Sequence, residues 1–173
     1  KRFISKKDAV YDFKEHVIRV KKAFSDPVED LVRLKTKDIH ITLFYPEELR
    51  RMNKVKLRQV MLRMAKDIPD IKYEKGVTIL EQGNRKIATK QFTNQNAWNN
   101  FRKSILKEFG IKYKPKSFHI TIANTTGKPR FGLSRNRKII KRTIGLSKSD
   151  ADKAIRSVSN DITDTLKRIA KEK

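Results

Sequence analysis

Two short stretches of this chain are nearly the same: IHITL at residues 39–43 and FHITI at residues 118–122. In each stretch a histidine and a threonine two positions later alternate with large apolar residues. A period of two is typical of a β-strand with one buried face, so the histidine and its threonine share the opposite face. Of the three histidines in the chain, two lie in these stretches. We expect the two strands to face one another and their polar sides to line a shared groove.

The four polar side chains of these stretches, His40, Thr42, His119 and Thr121, suit phosphodiester cleavage. That reaction needs a base, an acid, and donors for the charge that builds on the phosphoryl oxygens. Imidazole suits both proton roles because its unperturbed pKa is about 6.5. The set requires no metal or cofactor, and the sequence does not tell which histidine is the acid. A single strand-borne histidine is usually a surface or hydrogen-bonded group, so it is the duplication that favours catalysis.

The motifs His40-Ile41-Thr42 and His119-Ile120-Thr121 resemble the hallmark of the 2H phosphoesterase superfamily, a pair of His-x-Thr/Ser motifs with hydrophobic neighbours. The resemblance covers about residues 28–124. It implies a metal-independent phosphodiesterase acting on 2′,3′-cyclic phosphate ends of RNA, on 2′–5′ linked oligonucleotides or on cyclic oligonucleotides. It also implies an α+β, bilobal fold in which two antiparallel sheets form a central cleft with helices outside.

Hydrophobic periodicity predicts the elements of the core. A short strand is predicted at 31–34 and a longer one over 37–45 around the first motif. Apolar residues three and four apart predict helices over 53–68 and 94–109. Two apolar runs on either side of Gln82-Gly83-Asn84 predict an antiparallel hairpin over 75–92.

The two ends of the chain lie outside the resemblance. The spacing of apolar residues predicts an N-terminal amphipathic helix over 8–24, with His16 in a structural role. Residues 124–145 are rich in Gly, Pro, Ser and basic side chains, which predicts a long loop or basic arm. A capping box at Ser149 and Asp152 predicts a C-terminal helix to about residue 170. Residues 1–173 are thus expected to form a single domain, with the arm and last helix at 125–173.

The chain is strongly basic, with 43 Lys and Arg against 19 Asp and Glu, a net charge of +24 and a pI near 10.4. This balance predicts RNA or an oligonucleotide as partner, because bound cations release the counterions condensed on a phosphate backbone. A lysine-rich surface that serves only solubility is the alternative. The charge also motivates a rival function, a non-catalytic RNA-binding protein with a 2H phosphoesterase-like fold. A third interpretation is a basic structural or packaged protein, for example a viral one.

Basic and aromatic residues near the motifs are candidates for substrate binding. Cations can contact phosphates and aromatic rings can stack on bases, although a solvated surface is the alternative for each cation. The candidates are Tyr45, Lys86, Lys90, Lys114, Lys116, Arg130, Phe131, Arg135 and Arg137.

Composition also bears on the compartment. The absence of cysteine excludes a disulfide framework and cysteine-based zinc sites, and it fits a reducing compartment. The apolar runs are shorter than a membrane span, and no signal-peptide pattern is present. We expect an intracellular monomer, cytoplasmic or associated with nucleic acid and not secreted, without metal or membrane partners. The first residue is Lys1 rather than Met, which suggests an excised domain or a processed product.

Overall fold

A computed structural model describes residues 2–134 and 137–145. The helix predicted from Ser149 and the candidate Arg135 lie outside the described residues. The strands of the described part are β1 (Phe3–Ile4), β2 (Ala9–Asp12), β3 (Val17–Val20), β4 (Val32–Arg33), β5 (His40–Ile41), β6 (Ile71–Lys72), β7 (Val77–Gln82), β8 (Arg85–Gln91), β9 (His119–Asn124) and β10 (Ile140–Ile144). The α-helices there are α1 (Pro46–Arg50), α2 (Lys54–Met64) and α3 (Gln95–Glu108).

The strands form three sheets in which the neighbouring strands are antiparallel. One has five strands in the order β10-β7-β8-β9-β4, one has three in the order β2-β3-β5, and β1 pairs with β6. The first motif therefore lies on the three-stranded sheet and the second on the five-stranded sheet. Strands β5 and β9 contact one another, so the two sheets meet where the motifs are. The result is a mixed α and β fold with several antiparallel sheets and few helices.

Both motif strands are anchored as their alternation predicts. The apolar residues of the first motif, Ile39, Ile41 and Leu43, are buried, and so are those of the second. Phe118 packs among aromatic rings, with its centroid 5.5 Å from that of Trp98 on α3. The apolar faces therefore fix both strands in one hydrophobic core and leave the histidine and threonine faces on the other side.

The N-terminal helix predicted over 8–24 is wrong, because these residues form the hairpin β2–β3. Ala9 pairs with Val20 and Asp12 with Val17. Burial alternates along both strands, with Ile18 and Val20 facing the core. A spacing of three and four is also produced by two short strands joined by a turn, and the valines and isoleucine of this segment favour strands.

The turn of this hairpin depends on two polar side chains. Asp12 Oδ1 accepts hydrogen bonds from the backbone N–H groups of Lys14 and Glu15 at 2.8 and 3.0 Å. His16 has a positive φ of 56°, and its Nδ1 lies 2.9 Å from the Tyr11 hydroxyl. His16 therefore has a local structural role, as predicted, although on a turn and not on a helix.

The remaining core predictions are largely confirmed. Strand β4, helices α2 and α3 and the hairpin β7–β8 all lie within their predicted ranges, and Gly110 with φ 63° ends α3. The first motif strand is shorter than the predicted range 37–45, because Thr36–Asp38 form a 3-10 turn and only His40 and Ile41 pair with β3; α1 then begins at Pro46. The N–H of Tyr45 donates to Glu48 Oε1 at 2.8 Å, which closes the start of that helix.

Residues 124–145 are not wholly a loop, since β10 pairs with β7 along the edge of the five-stranded sheet. Ile140, Thr143 and Ile144 supply β-branched residues to this strand. Arg142 ties it to its surroundings through ion pairs with Glu29 and Glu81. Among the helices of residues 2–134 and 137–145, none has the length and the apolar composition that a membrane span requires.

Candidate active site

The histidine and threonine of both motifs line a single pocket of about 430 Å³. His40 comes from β5, with Thr42 just beyond that strand, and His119 and Thr121 come from β9. Because residues two apart on a strand point to the same face, each histidine is presented together with its threonine. The pocket thus brings together the four side chains that the sequence singled out.

Both catalytic candidates are oriented in the same way. His40 Nδ1 lies 2.8 Å from the carbonyl oxygen of Asp38, and His119 Nδ1 lies 3.2 Å from that of Ser117. A carbonyl oxygen only accepts, so Nδ1 must carry the proton in each ring. The lone pair of each neutral imidazole is therefore on Nε2, the atom available for proton transfer.

His119 has an altered acidity. Burial in the pocket wall lowers the pKa of His119 to about 4, and the positive charge of Lys116 acts in the same direction. The hydrogen bond to the Ser117 carbonyl opposes this shift, while His40 and Lys141 add to it. At neutral pH this imidazole is uncharged and able to accept a proton.

The rest of the pocket combines cations, aromatic rings and apolar residues. Lys116, Arg130 and Lys141 are its basic residues. Tyr45 and Phe131 are its aromatic residues, and Gln91 lies opposite His119 in the register of β8 and β9. Leu80, Ile87, Leu133 and Ile139 add apolar surface. A pocket of this size, partly apolar and with a few charged groups, suits a small part of an anionic ligand.

A family model described as 2H-SAK: Swiss Army Knife, 2H phosphoesterase domain, matches residues 7–128, which is more than half of the chain and includes both motifs. The chain belongs to the 2H phosphoesterase superfamily. Membership supports phosphoesterase-type activity at the level of the family. A comparison with curated proteins and one with solved structures each gave no significant match.

The pocket of this 2H phosphoesterase includes residues beyond the matched domain. The match ends at residue 128, whereas the segment 129–133 and Lys141 line the pocket. Phe131 is held there by Arg85, whose guanidinium carbon lies 4.1 Å from the ring centroid. Arg85 Nε also donates to the carbonyl of Gly132 at 3.0 Å. The segment is thus fastened to the β7–β8 hairpin.

Four of the predicted substrate-binding residues line the 2H pocket: Tyr45, Lys116, Arg130 and Phe131. Lys86, Lys114 and Arg137 are not among the residues that line it. Successive residues of a strand point to opposite faces, and Ile87 on β8 lines the pocket, so Lys86 points away from it. Lys114 contributes a backbone carbonyl to Arg102, and Arg137 contributes one to Gln82.

The prediction that Lys90 binds substrate is corrected, because its ammonium group is buried and makes hydrogen bonds away from the pocket. It is 1% exposed, and Nζ lies 2.9 Å from Asp26 Oδ2 and 3.0 and 2.6 Å from the carbonyls of Lys75 and Gly76. Gln91, its neighbour on β8, takes the pocket-facing position instead. The alternation of side chains along β8 puts Lys90 and Gln91 on opposite faces of the sheet. Only the pairing of β8 with β9 shows which of these faces lines the pocket.

A buried ion pair connects the segments that carry the two motifs. Arg102 on α3 is 0% exposed and donates to both carboxylate oxygens of Glu48 at 2.6 Å. It also donates to the carbonyls of Leu43 and Lys114 at 3.1 and 3.3 Å. One side chain therefore fixes the chain just after the first motif and just before the second. Sequence analysis missed it, because a charged residue within a helix is usually exposed.

In residues 2–134 and 137–145, no group of three or more His, Cys, Asp or Glu side chains is placed to hold a metal ion.

Proposed function

We propose that this chain is a metal-independent phosphodiesterase that cleaves RNA or an oligonucleotide in the pocket between its two motifs. The observation that supports this most is the matched pair of histidines in one pocket, each with Nδ1 bound to a carbonyl and Nε2 left for proton transfer. We further propose that the three-stranded and five-stranded sheets form the two lobes of the superfamily fold, with the pocket as the cleft between them.

The roles of the histidines follow from their surroundings. We assign the base to His119, whose imidazole is neutral at pH 7, and the acid to His40 as the second imidazole of the pocket. His119 takes a proton from water, or from a ribose hydroxyl, as that oxygen forms a bond to phosphorus. The bond from phosphorus to the departing ribose oxygen breaks, and His40, which enters this step as an imidazolium protonated on both ring nitrogens, passes its Nε2 proton to that oxygen. The net reaction on a 2′,3′-cyclic phosphate is addition of one water molecule.

The other residues of the pocket supply charge and stacking. The hydroxyls of Thr42 and Thr121 donate hydrogen bonds to the phosphoryl oxygens, where negative charge increases in the transition state. Lys116 and Lys141 neutralise part of that charge. Phe131, fixed by Arg85, offers a ring on which a base can stack.

The test is a panel of substrates combined with the same substitution at all three histidines. Turnover of 2′,3′-cyclic-phosphate RNA, 2′–5′ oligoadenylate and cyclic oligonucleotides is measured with chelator and without added metal. His40→Asn and His119→Asn should each reduce kcat about 10²- to 10⁴-fold, the range of general acid-base catalysis. His16→Asn is the matched control, since His16 lies on a turn whose positive φ asparagine tolerates. Full activity in either motif variant would refute the proposal.

Binding of RNA without catalysis is a second candidate, favoured by the net charge of +24. It requires tight, salt-sensitive binding that the histidine substitutions do not change, together with no turnover of any substrate in the panel. The paired Nε2 atoms have no use in such a protein. The panel therefore separates the two functions.

A further inference from the structure

The hairpin β2–β3 places a basic side chain directly beside the first motif. Arg19 on β3 lies opposite His40 in the antiparallel pairing of β3 with β5. Directly opposed residues share one face of a sheet, with Cβ atoms about 4.5–5.5 Å apart. Ile18 and Val20 occupy the buried face, at 0% and 2% exposed, so Arg19 lies on the open face together with Val17. Arg19 Nε is bound by Asp12 at 3.1 Å, which holds the side chain in place.

Two further pockets lie beside the catalytic pocket, and both are lined by Arg19. The first, about 370 Å³, shares His40, Pro129 and Arg130 with the catalytic pocket and is also lined by Arg19. The second, about 520 Å³, shares Arg19 with the first. The first outer pocket thus adjoins the catalytic pocket at three residues, and the two outer pockets meet at Arg19. We call the two outer pockets the β3 track.

The β3 track is strongly basic. Its lining residues include five cations and two carboxylates, and the outermost pocket has four cations and no carboxylate. The cations are Arg19, Lys21, Lys22, Lys37 and Arg130, and the carboxylates are Glu15 and Asp38. Arg130 lies 3.4 Å from Glu15 in an exposed pair, which is weak and easily exchanged for a phosphate contact.

We propose that the β3 track binds the body of a single-stranded oligonucleotide whose reacting phosphate lies between His40 and His119. The inference rests on the proposed function and specifies its substrate class as a strand with several phosphates. A mononucleotide or a small cyclic phosphate would fill the catalytic pocket and leave the track unused. The binding free energy of a polyanion becomes more favourable with each cation along the track, since every neutralised phosphate releases counterions. An unpaired strand is required because Phe131 can stack only on a base outside a duplex.

Binding of fluorescently labelled single-stranded RNA of two, four and eight nucleotides, each with a 3′-phosphate, tests the proposal. Binding is measured by fluorescence anisotropy over a range of salt concentrations, in the 173-residue chain carrying His119→Asn so that turnover does not interfere. Affinity should rise with length. The track variant Lys21→Gln/Lys22→Gln/Lys37→Gln should lose that rise, and its slope of log K against log salt should fall by about 2, at roughly 0.7 for each single-strand contact. Dinucleotide affinity should be unchanged.

The matched control removes three positive charges elsewhere on the surface, with the variant Lys66→Gln/Lys107→Gln/Lys112→Gln. These lysines are exposed and line none of the three pockets. Circular dichroism verifies that both triple variants are folded. The proposal is overturned if both variants weaken the eight-nucleotide RNA equally, if length has no effect on wild-type affinity, or if duplex RNA binds as tightly as the single strand. Length-dependent binding without turnover in the substrate panel would refute the proposed catalysis and leave the track intact.

Discussion

Breaking the buried pair Arg102–Glu48 should destabilise the whole chain. In Glu48→Leu the guanidinium is left in the core with the carbonyls of Leu43 and Lys114 and the ring of Tyr45 but no carboxylate, and arginine cannot lose its charge there. Removing one partner of a buried ion pair costs about 3–5 kcal/mol. For a chain of this size 1 kcal/mol shifts Tm by about 2–4 °C, so Tm should fall by roughly 6–20 °C. Arg102→Met should cost less, since the Glu48 carboxylate still accepts the hydrogen bond from the N–H of Tyr45.

Thermal and urea unfolding followed by circular dichroism measure these effects. The double variant Arg102→Met/Glu48→Leu removes both charges and should recover most of the lost stability, because no buried charge is left without a partner. A change below about 1 kcal/mol in Glu48→Leu would refute the reasoning, as would a double variant no more stable than the worse single variant. Because the Arg102 side chain holds the segments next to both motifs, kcat of folded Arg102→Met should also be lower.

Three further outcomes are expected. The pKa of His119 is about 4 in the folded chain and about 6.5 in the unfolded chain, so the neutral imidazole stabilises the fold above pH 6.5 and this contribution is lost as pH falls from 6.5 to 4. His119→Asn should therefore flatten the pH dependence of the free energy of urea unfolding between pH 6.5 and 4. An unchanged slope would contradict the lowered pKa of His119. Phe131→Ala should weaken oligonucleotide binding roughly 5- to 150-fold, the value of one stacked base, and unchanged anisotropy titrations would argue against stacking. Ile18→Ala in β3 should cost about 2–5 kcal/mol by urea unfolding, whereas exposed Val10→Ala should cost little; equal costs would show that the hairpin is not oriented as described.

The motifs could be predicted from sequence because each is a local pattern. His40 and His119 lie within strands whose alternation shows which side is buried, and helices α2 and α3 show a clear helical period. The N-terminal hairpin could not be predicted in the same way. The spacing of Val10, Val17 and Val20 fits one helix as well as two strands, and the pairing of β3 with β5, which selects the strands, is a long-range interaction.

The remaining part of the pocket depends on strand register. Gln91 faces the pocket because β8 pairs with β9, and Lys141 reaches it because β10 pairs with β7 on the edge of the same sheet. Alternation places Gln91 and Lys90 on opposite faces of β8, but no local pattern tells which of the two faces lines the pocket. Arg19 was missed for a related reason: the helix predicted over 8–24 gave no indication that Arg19 lies beside His40.

The identical attachment of His40 and His119 to a carbonyl two residues earlier has a consequence for the direction of the reaction. The two motifs alone form an unbiased pair, in which either imidazole could give a proton and the other receive it. Their surroundings break this equivalence: burial, and after it the charges of Lys116 and Lys141, lower the pKa of His119, whereas Arg19 and Asp38 border the pocket beside His40. Exchanging both the burial and the neighbouring charges around an unchanged pair of motifs should therefore reverse the two roles, which gives one scaffold a route to cleavage on either side of a phosphate.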